Sequence, residues 1–443
     1  MREKAASTAE KLEAVRREVR FRNPLYASVQ YPEPVSLAKL REGILNPDEV
    51  LVEYFLTAAG IYCFAIDKDR HVVRRLPGTA VELEKDLDAF LANIQGALRG
   101  ESFDRARAHL LYERLLKPLE DRLGEKTIII VPHGKLAFLP FESLLVRHEG
   151  EEKYLTERHR IKYIQSATVL AVLRTMPKRG NVAKSFLGFG DPVYDYESYR
   201  RGREEEAGQG EDTKERAFRQ WTKRGYLRAG GRLARLEGSG REIREIGALF
   251  RRHDLAADCL LRAEAREERA KDRRLAQYAY LHFSTHGILG PRFQAIALSQ
   301  LPQTEEDGFL TLGEIMNCRY NAELVVLSAC ETGLGRVDRG EGVTGLTRAV
   351  MYAALPAAVV SLWSVSDDGT TELMIQFYRN LLQKGMGKEE SLRMAKIAMI
   401  RRSHTAEASS DAASLRSVRV LEKKVKGDYG HPFFWAAFVM YGE

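Results

Sequence analysis

Two apolar runs of this sequence end in residues that can form a nucleophile–base pair. One reads Leu281-His282-Phe283-Ser284-Thr285-His286-Gly287, the other Val325-Val326-Leu327-Ser328-Ala329-Cys330-Glu331-Thr332-Gly333. A cysteine attacks as its thiolate, and a neighbouring imidazole raises the population of that form at neutral pH. Cys330 is therefore the candidate nucleophile and His286 its candidate base. Gly287 has no Cβ, so its backbone N–H can approach a substrate carbonyl closely. Paired with the N–H of Cys330 it makes a candidate oxyanion hole, a device typically worth about 3 kcal/mol in the transition state. Gly333 allows a sharp exit after the cysteine.

Each piece also has an ordinary reading. A cysteine closing an apolar strand is commonly an inert core residue, and a histidine there is commonly a satisfied polar group. The pair, in the order His then Cys, with glycine in both turns, points to a Cys–His hydrolase; on the residues alone both readings stay open. His282 precedes His286 by four positions, and Cys318 lies between the two runs, but their spacing matches no common zinc site. The dyad needs no metal or organic cofactor. No G-x-x-x-x-G-K-[ST] loop is present, which disfavours nucleotide hydrolysis.

Such a pair needs two strands that deliver both ends to one edge. Apolar runs at Ser185–Phe189, Gln277–Phe283, Leu324–Leu327 and Ala357–Leu362 alternate with helical stretches, the pattern of a mostly parallel sheet covered by helices on both faces. In such sheets the loops leaving the carboxyl ends of the strands build the site. Earlier, Val50–Phe55, Ile61–Ile66, His71–Val73 and Thr127–Val131 read as strands, and about 80–98 and 103–123 as helices. Residues 1–22 read as a leading polar helix. The stretch at about 191–240 is rich in Arg, Glu and Gly and poor in aliphatics, which suits a charged flexible insertion. Arg262 to Arg274 reads as an exposed helix.

Composition narrows the class. The chain has 443 residues, 44% hydrophobic and 30% charged, and carries a net charge of +7. Acidic residues are interleaved with the basic ones, so no single-sign face marks a nucleic-acid footprint, and direct nucleic-acid binding is not expected. No apolar run approaches the ~18 residues of a membrane span, and the charged start lacks a signal sequence's apolar core. A cytoplasmic location away from the membrane is the expectation. Four cysteines, Cys63, Cys259, Cys318 and Cys330, fit neither a disulfide framework nor a metal knuckle and are expected as free thiols.

The segments Phe283-Ser284-Thr285-His286-Gly287 and Ser328-Ala329-Cys330-Glu331-Thr332-Gly333 resemble the CHAT domain, a caspase- and separase-related group of cysteine proteases. Further matching landmarks are Gly340-Glu341-Gly342-Val343, Ser361-Leu362-Trp363-Ser364-Val365-Ser366-Asp367-Asp368, Phe377-Tyr378-Arg379-Asn380-Leu381, and His431-Pro432-Phe433-Phe434-Trp435-Ala436-Ala437-Phe438. Asn23-Pro24, Ile130-Val131-Pro132-His133-Gly134 and Leu139-Pro140-Phe141-Glu142 extend the likeness to the amino-terminal half. The resemblance implies a caspase-like α/β fold in two halves: an amino-terminal pseudo-caspase half over 23–180 and an active half over 181–443. It implies a Cys–His dyad without an obligatory third member, carried onto Cys330 and His286. The chain departs from the family pattern at Pro132-His133-Gly134, where histidine replaces an expected acidic residue or asparagine. No cysteine follows at a suitable spacing, so a second site is not expected.

The implied function is a caspase-like endopeptidase cutting an extended segment of a protein partner, released by a signal in bacterial antiviral defence or programmed cell death. A gasdermin-like pore former and a target associated with an RNA-guided complex are candidate substrates. The sensing repeats that often precede such domains are missing here, so the resemblance implies either the catalytic part of a longer protein that carries a repeat module or a signal received from a separate activating partner protein. Asp367 and Asp368 follow the strand Ala357–Leu362, beside the expected substrate strand. Separase-like relatives use acidic residues in this region to hold arginine, since a carboxylate can pair bidentately with guanidinium, so the resemblance implies a pocket for a basic residue before the cut; a hydrophobic residue there is the close second. Asp367 also suits a cap for a helix starting near Thr370. Glu341 and Trp363 are further pocket candidates, Glu341 equally an exposed loop carboxylate and Trp363 equally a core aromatic. The competing functions are a silent pseudo-protease scaffold that binds regulatory partners and a small-molecule amidase using the same pair.

Overall fold

The computed structural model of the chain describes residues 8, 10–15, 17–18, 33–148, 150–176, 183–204, 233–289, 294–302, 304–318, 320–328, 330–331, 355–363, 365, 367–408 and 429–443. Most of the leading helix expected over 1–22 lies outside these residues.

The apolar runs fold as strands. In the amino-terminal part these are β1 (Glu49–Thr57), β2 (Gly60–Ile66), β3 (His71–Leu76), β4 (Thr127–Val131), the hairpin β5 (Leu145–His148) and β6 (Glu151–Tyr154), and β7 (Ile161–Tyr163). Between β3 and β4 run α1 (Ala80–Gln95) and α2 (Arg105–Leu115). α1 opens with a capping box in which Thr79 and Glu82 satisfy each other's backbone N–H groups. The single helix expected over 103–123 breaks after Leu115, because Pro118 has no N–H to continue the ladder; a 3-10 turn over Lys117–Leu119 and a short helix at Glu120–Leu123 replace it. After β7 comes α3 (Ala167–Thr175).

The carboxyl-terminal part contributes β8 (Phe186–Pro192), α4 (Glu237–Arg251), β9 (Ala257–Arg262), β10 (Tyr280–Ser284), β11 (His286–Leu289), β12 (Gln294–Ala297), β13 (Phe309–Thr311), β14 (Leu324–Leu327), β15 (Cys330–Glu331), β16 (Ala357–Ser361), α5 (Asp367–Gln383), α6 (Lys388–Ala408) and β17 (Phe438–Gly442). Eleven strands make one mixed, mostly parallel sheet in the order β3-β2-β1-β4-β7-β17-β16-β14-β10-β8-β9. A second sheet runs β13-β12-β11-β15.

The last strand joins the two parts. β17 is antiparallel to β16 but parallel to β7, where Tyr441 faces Tyr163. Since β1, β4 and β7 are mutually parallel, and β8, β9, β10, β14 and β16 likewise, the two parts run in opposite directions within one sheet. Their strand carboxyl ends therefore open on opposite edges. Trp435 packs edge-on against Tyr154, with ring centroids 4.9 Å apart. Buried charge reinforces the seam: Lys396 of α6 reaches Glu142 at 2.8 Å, and Glu443 meets both Lys162 and Arg174.

The charged stretch at about 191–240 has regular structure at its two ends: β8 continues to Pro192, Tyr196–Glu204 is helical, and α4 begins at Glu237. Residues 205–232 lie outside the described residues. Arg262 to Arg274 is not one exposed helix; it holds the end of β9, a single helical turn at Glu267–Ala270 and the start of a 3-10 turn. Helix propensity loses there to tertiary pairing, since Glu267 is buried and its carboxylate accepts the Gly308 N–H at 2.9 Å.

Candidate active site

Residues 280–287 and 324–331 run side by side through both sheets. In the large sheet Tyr280 pairs with Leu324 and Phe283 with Leu327; in the small sheet His286 pairs with Cys330 and Gly287 with Glu331. Each pair is separated by 44 positions (327 − 283 and 330 − 286), so the register persists while both segments pass from one sheet to the other. The crossing falls at Thr285, which is fully buried, and beside Ser328. His286 and Cys330 are thus register partners on adjacent parallel strands, a geometry that holds backbones about 4.8 Å apart.

The His286 ring is nearly fully buried. Its Nε2 lies 2.8 Å from the Ala234 carbonyl oxygen. A carbonyl can only accept, so Nε2 carries the hydrogen, and in the neutral ring Nδ1 holds the lone pair, as a general base requires. The His286 backbone N–H donates to the Tyr194 hydroxyl at 3.2 Å, which in turn donates to the Ala297 carbonyl at 3.1 Å. The Tyr194 ring sits 5.2 Å from the imidazole. Gly287 lies between two neighbours, pairing with Ile296 on β12 and with Glu331 on β15.

A buried polar group underlies the point where β10 ends. His282 places Nδ1 3.3 Å from the Tyr378 hydroxyl and Nε2 2.9 Å from Glu242 Oε1, the latter a charge contact rather than an aligned hydrogen bond. Ser284 donates to the other Glu242 oxygen at 2.8 Å. His282 is thus engaged by core side chains. Among the described residues, one set of three carboxylates, Glu267, Glu306 and Glu314, has the closeness of a metal site. Lys271 already fills it, with Nζ 2.9, 2.5 and 2.9 Å from the three in turn. Burial, joined by the Glu314 and Asp307 charges, pushes the Glu267 carboxyl up to about 7 despite the lysine. A cavity of about 460 Å³ opens beside this group, lined by Glu305, Glu306, Asp307, Phe309, Thr311, Gly313 and Glu314.

The remaining sequence-predicted residues divide. Trp363 is buried, and its indole N–H donates to the Phe433 carbonyl at 3.0 Å. Asp367 and Asp368 are described through their backbone alone; helix α5 starts at Asp367, three residues before the expected start near Thr370. Of Cys330, too, the backbone is described, and Glu341 lies outside the described residues. His133, just after β4, accepts the Leu56 N–H on Nδ1 at 3.2 Å and lies tilted against the Phe55 ring, with centroids 5.4 Å apart. It faces the opposite edge of the sheet from His286.

Sequence reasoning missed Tyr194 and the Ala234 carbonyl. A backbone carbonyl leaves no trace in residue type. The available signal was Gly190-Asp191-Pro192, an acidic residue closing an apolar strand, which was read merely as the start of the insertion.

Comparison with known proteins settles the family. A CHAT domain family model matches residues 105–443. The chain belongs to the CHAT-domain family. A stretch of 133 residues is 28% identical to tetratricopeptide repeat protein 28 of Mus musculus, covering 30% of this chain and 4% of that protein. Two crystal structures of the Saccharomyces cerevisiae separase–securin complex align over 92% of this chain at 11% identity, with TM-scores of 0.47 and 0.43, and cover 30% and 31% of those chains. This CHAT-family chain therefore spans a minor part of the length of these relatives. Among its described residues no helix is long and apolar enough to cross a membrane.

Proposed function

We propose that this CHAT-family chain is a caspase-like cysteine endopeptidase acting through Cys330 and His286. The observation that supports this most is the register pairing of the two residues across β11 and β15, with the His286 tautomer set by the Ala234 carbonyl. The Cys330 thiolate attacks the scissile carbonyl carbon while Nδ1 of His286 holds the thiol proton. The oxyanion is stabilised by the backbone N–H groups of Gly287 and Cys330. The imidazolium returns its proton to the departing amine as the C–N bond breaks, and water then hydrolyses the thioester, restoring thiol and imidazole.

The substrate is an extended segment of a protein partner. A basic residue before the cut is preferred, held by Asp367 with Asp368 and Glu341 nearby. The amino-terminal half, 23–180, is a non-catalytic companion to the active half, 181–443. The physiological setting is signal-triggered defence or programmed cell death, with a gasdermin-like pore former or a protein acting beside an RNA-guided complex as target. An activating partner protein, or a repeat module of the same protein, supplies the signal. These finer assignments rest on the family resemblance and on the strand-end positions of the residues.

The test is to co-express the full chain, or its Cys330→Ala variant, with the products of neighbouring genes and to map new protein amino termini. Cuts that appear with the wild type and vanish with Cys330→Ala are expected, and they read the preferred residue directly. Identical amino termini in both, with both proteins folded, would transfer the argument to the scaffold reading.

A further inference from the structure

The carbonyl that sets the His286 tautomer lies on a limb held in place by charge. Ala234 belongs to the segment Leu233–Leu236, which leads into α4. Leu233 packs against the small apolar cluster of Ile288, Ala295, Ala297 and Phe309. Arg235 forks onto Asp191, Nε to Oδ1 at 3.0 Å and Nη2 to Oδ2 at 2.9 Å. Between these two fasteners the Ala234 carbonyl meets His286 Nε2.

Asp191 is built as a fixed point. It is 4% exposed and sits near the end of β8 with a positive φ of 45°. Its N–H donates to Ser239 Oγ at 2.7 Å, and Oδ1 also takes Arg262 Nη1 at 2.8 Å. α4 presses close here: a Cβ on Gly190 would lie 2.8 Å from the Ser239 carbonyl oxygen. A bidentate guanidinium–carboxylate pair fixes angle as well as distance. Arg235 itself is half exposed and adds little to the core.

We propose that the Asp191–Arg235 pair is a positioning device for the base, holding the Ala234 carbonyl on His286 Nε2 so that Nδ1 keeps the lone pair. The inference rests on the proposed Cys330–His286 dyad. Neither residue touches the reacting atoms; both act through the peptide between them and the imidazole. Removing the fork lets Ala234 rotate away, the ring samples the other tautomer, and less of Cys330 is thiolate at neutral pH. Displacing a reacting group by about 1 Å can cost on the order of a hundredfold in rate.

The full chain is tested in two ways. Ring-labelled histidine reports the His286 tautomer by nitrogen NMR on the Cys330→Ala background, at alkaline pH where the ring is neutral. Iodoacetamide reports the thiolate through the alkylation rate of Cys330, followed by peptide mass spectrometry on the wild-type background. Arg235→Met and Asp191→Asn are the variants; asparagine tolerates a positive φ, and Arg235→Lys keeps the charge without the fork. Expected are a mixture of tautomers and a fall of about tenfold or more in Cys330 alkylation for Met and Asn, an intermediate result for Lys, and an unchanged melting temperature for Arg235→Met. A single unaltered tautomer in both variants, beside a thiol whose alkylation still depends on His286, overturns the positioning role alone. Unchanged Cys330 alkylation in His286→Gln overturns the dyad, and the positioning role with it.

Discussion

Lys396→Met is expected to destabilise the protein by about 3–5 kcal/mol, although methionine fills nearly the same volume. The lysine Nζ lies 2.8 Å from Glu142 Oε1, and the two side chains are 2% and 3% exposed. Glu142 Oε2 accepts the Tyr163 hydroxyl at 2.5 Å. Methionine leaves the carboxylate buried with a single neutral donor, and it is this orphaned charge that costs the energy. Glu142→Leu should be milder, because burial already lowers the Lys396 pKa and the amine can shed its proton. The sign follows from linkage: with the folded pKa below the unfolded value of ~10.4, the unfolded chain binds more protons between the two. The Glu142→Leu variant therefore regains stability as pH rises through that window. Tyr163 keeps its other partners, the Phe141 N–H at 2.9 Å and the Leu139 carbonyl at 3.3 Å, when Glu142 is gone. The double variant Lys396→Met/Glu142→Leu should accordingly lie within about 1 kcal/mol of the wild type. Urea unfolding followed by tryptophan fluorescence measures all four proteins. Additive losses in the double variant, or a loss below about 1 kcal/mol in Lys396→Met, would refute the reasoning.

The other buried carboxylate of the seam sets an acid limit. Burial pushes Glu49 up, but the Arg174 fork, the Lys162 charge and the Asn46 N–H outweigh it and hold the group at about 2, below its ordinary 4.5. Its contribution is complete above pH 4.5 and is lost as pH falls through about 2, so Glu49→Gln should flatten the acid limb of a fluorescence-monitored stability profile; a limb of unchanged steepness counts against it. At the proposed specificity pocket, Asp367→Ala should reduce the preference for Arg over Leu before the cut by about tenfold or more, as expected for a lost hydrogen bond to a charged group. Equal preference in variant and wild type, measured on paired peptides, would remove Asp367 from the pocket.

Much of the large sheet was legible because its strands are buried on both faces and read as unbroken apolar runs. Thr127–Val131 and Leu324–Leu327 match their strands to the residue. β17 was not read as a strand, since Phe433 to Tyr441 is apolar throughout and carries neither a two- nor a 3.6-residue period. Its place between β7 and β16 is a long-range choice that no local pattern states. The pairing of His286 with Cys330 was anticipated from two strand ends sharing an edge, yet both segments in fact cross into a second sheet before the pair forms. The charged segments were the least legible. In Arg262–Arg274 and at Asp191, a residue's partners far along the chain decided its burial, so composition alone misdirected.

The opposed directions of the two parts explain what the amino-terminal part contributes to a site on the other edge. Its strand ends cannot reach His286, and its own histidine at 133 is occupied by Leu56 and Phe55. It does supply the neighbour of β17 on one side, with Tyr163 over Tyr441 at 5.4 Å and Tyr154 against Trp435. It supplies Glu142 for Lys396, and the Thr156 and Glu157 carbonyls for Arg393. Without it β17 becomes a free sheet edge carrying buried apolar side chains, and Lys396 loses its Glu142 partner. Such an edge templates association with other chains. Residues 181–443 expressed alone should therefore aggregate, and co-expression of 23–180 as a separate chain should return a soluble complex on size-exclusion chromatography. A monomeric 181–443 that melts with the full chain would show that the sheet edge carrying His286 needs no support from the part whose strands open on the other edge.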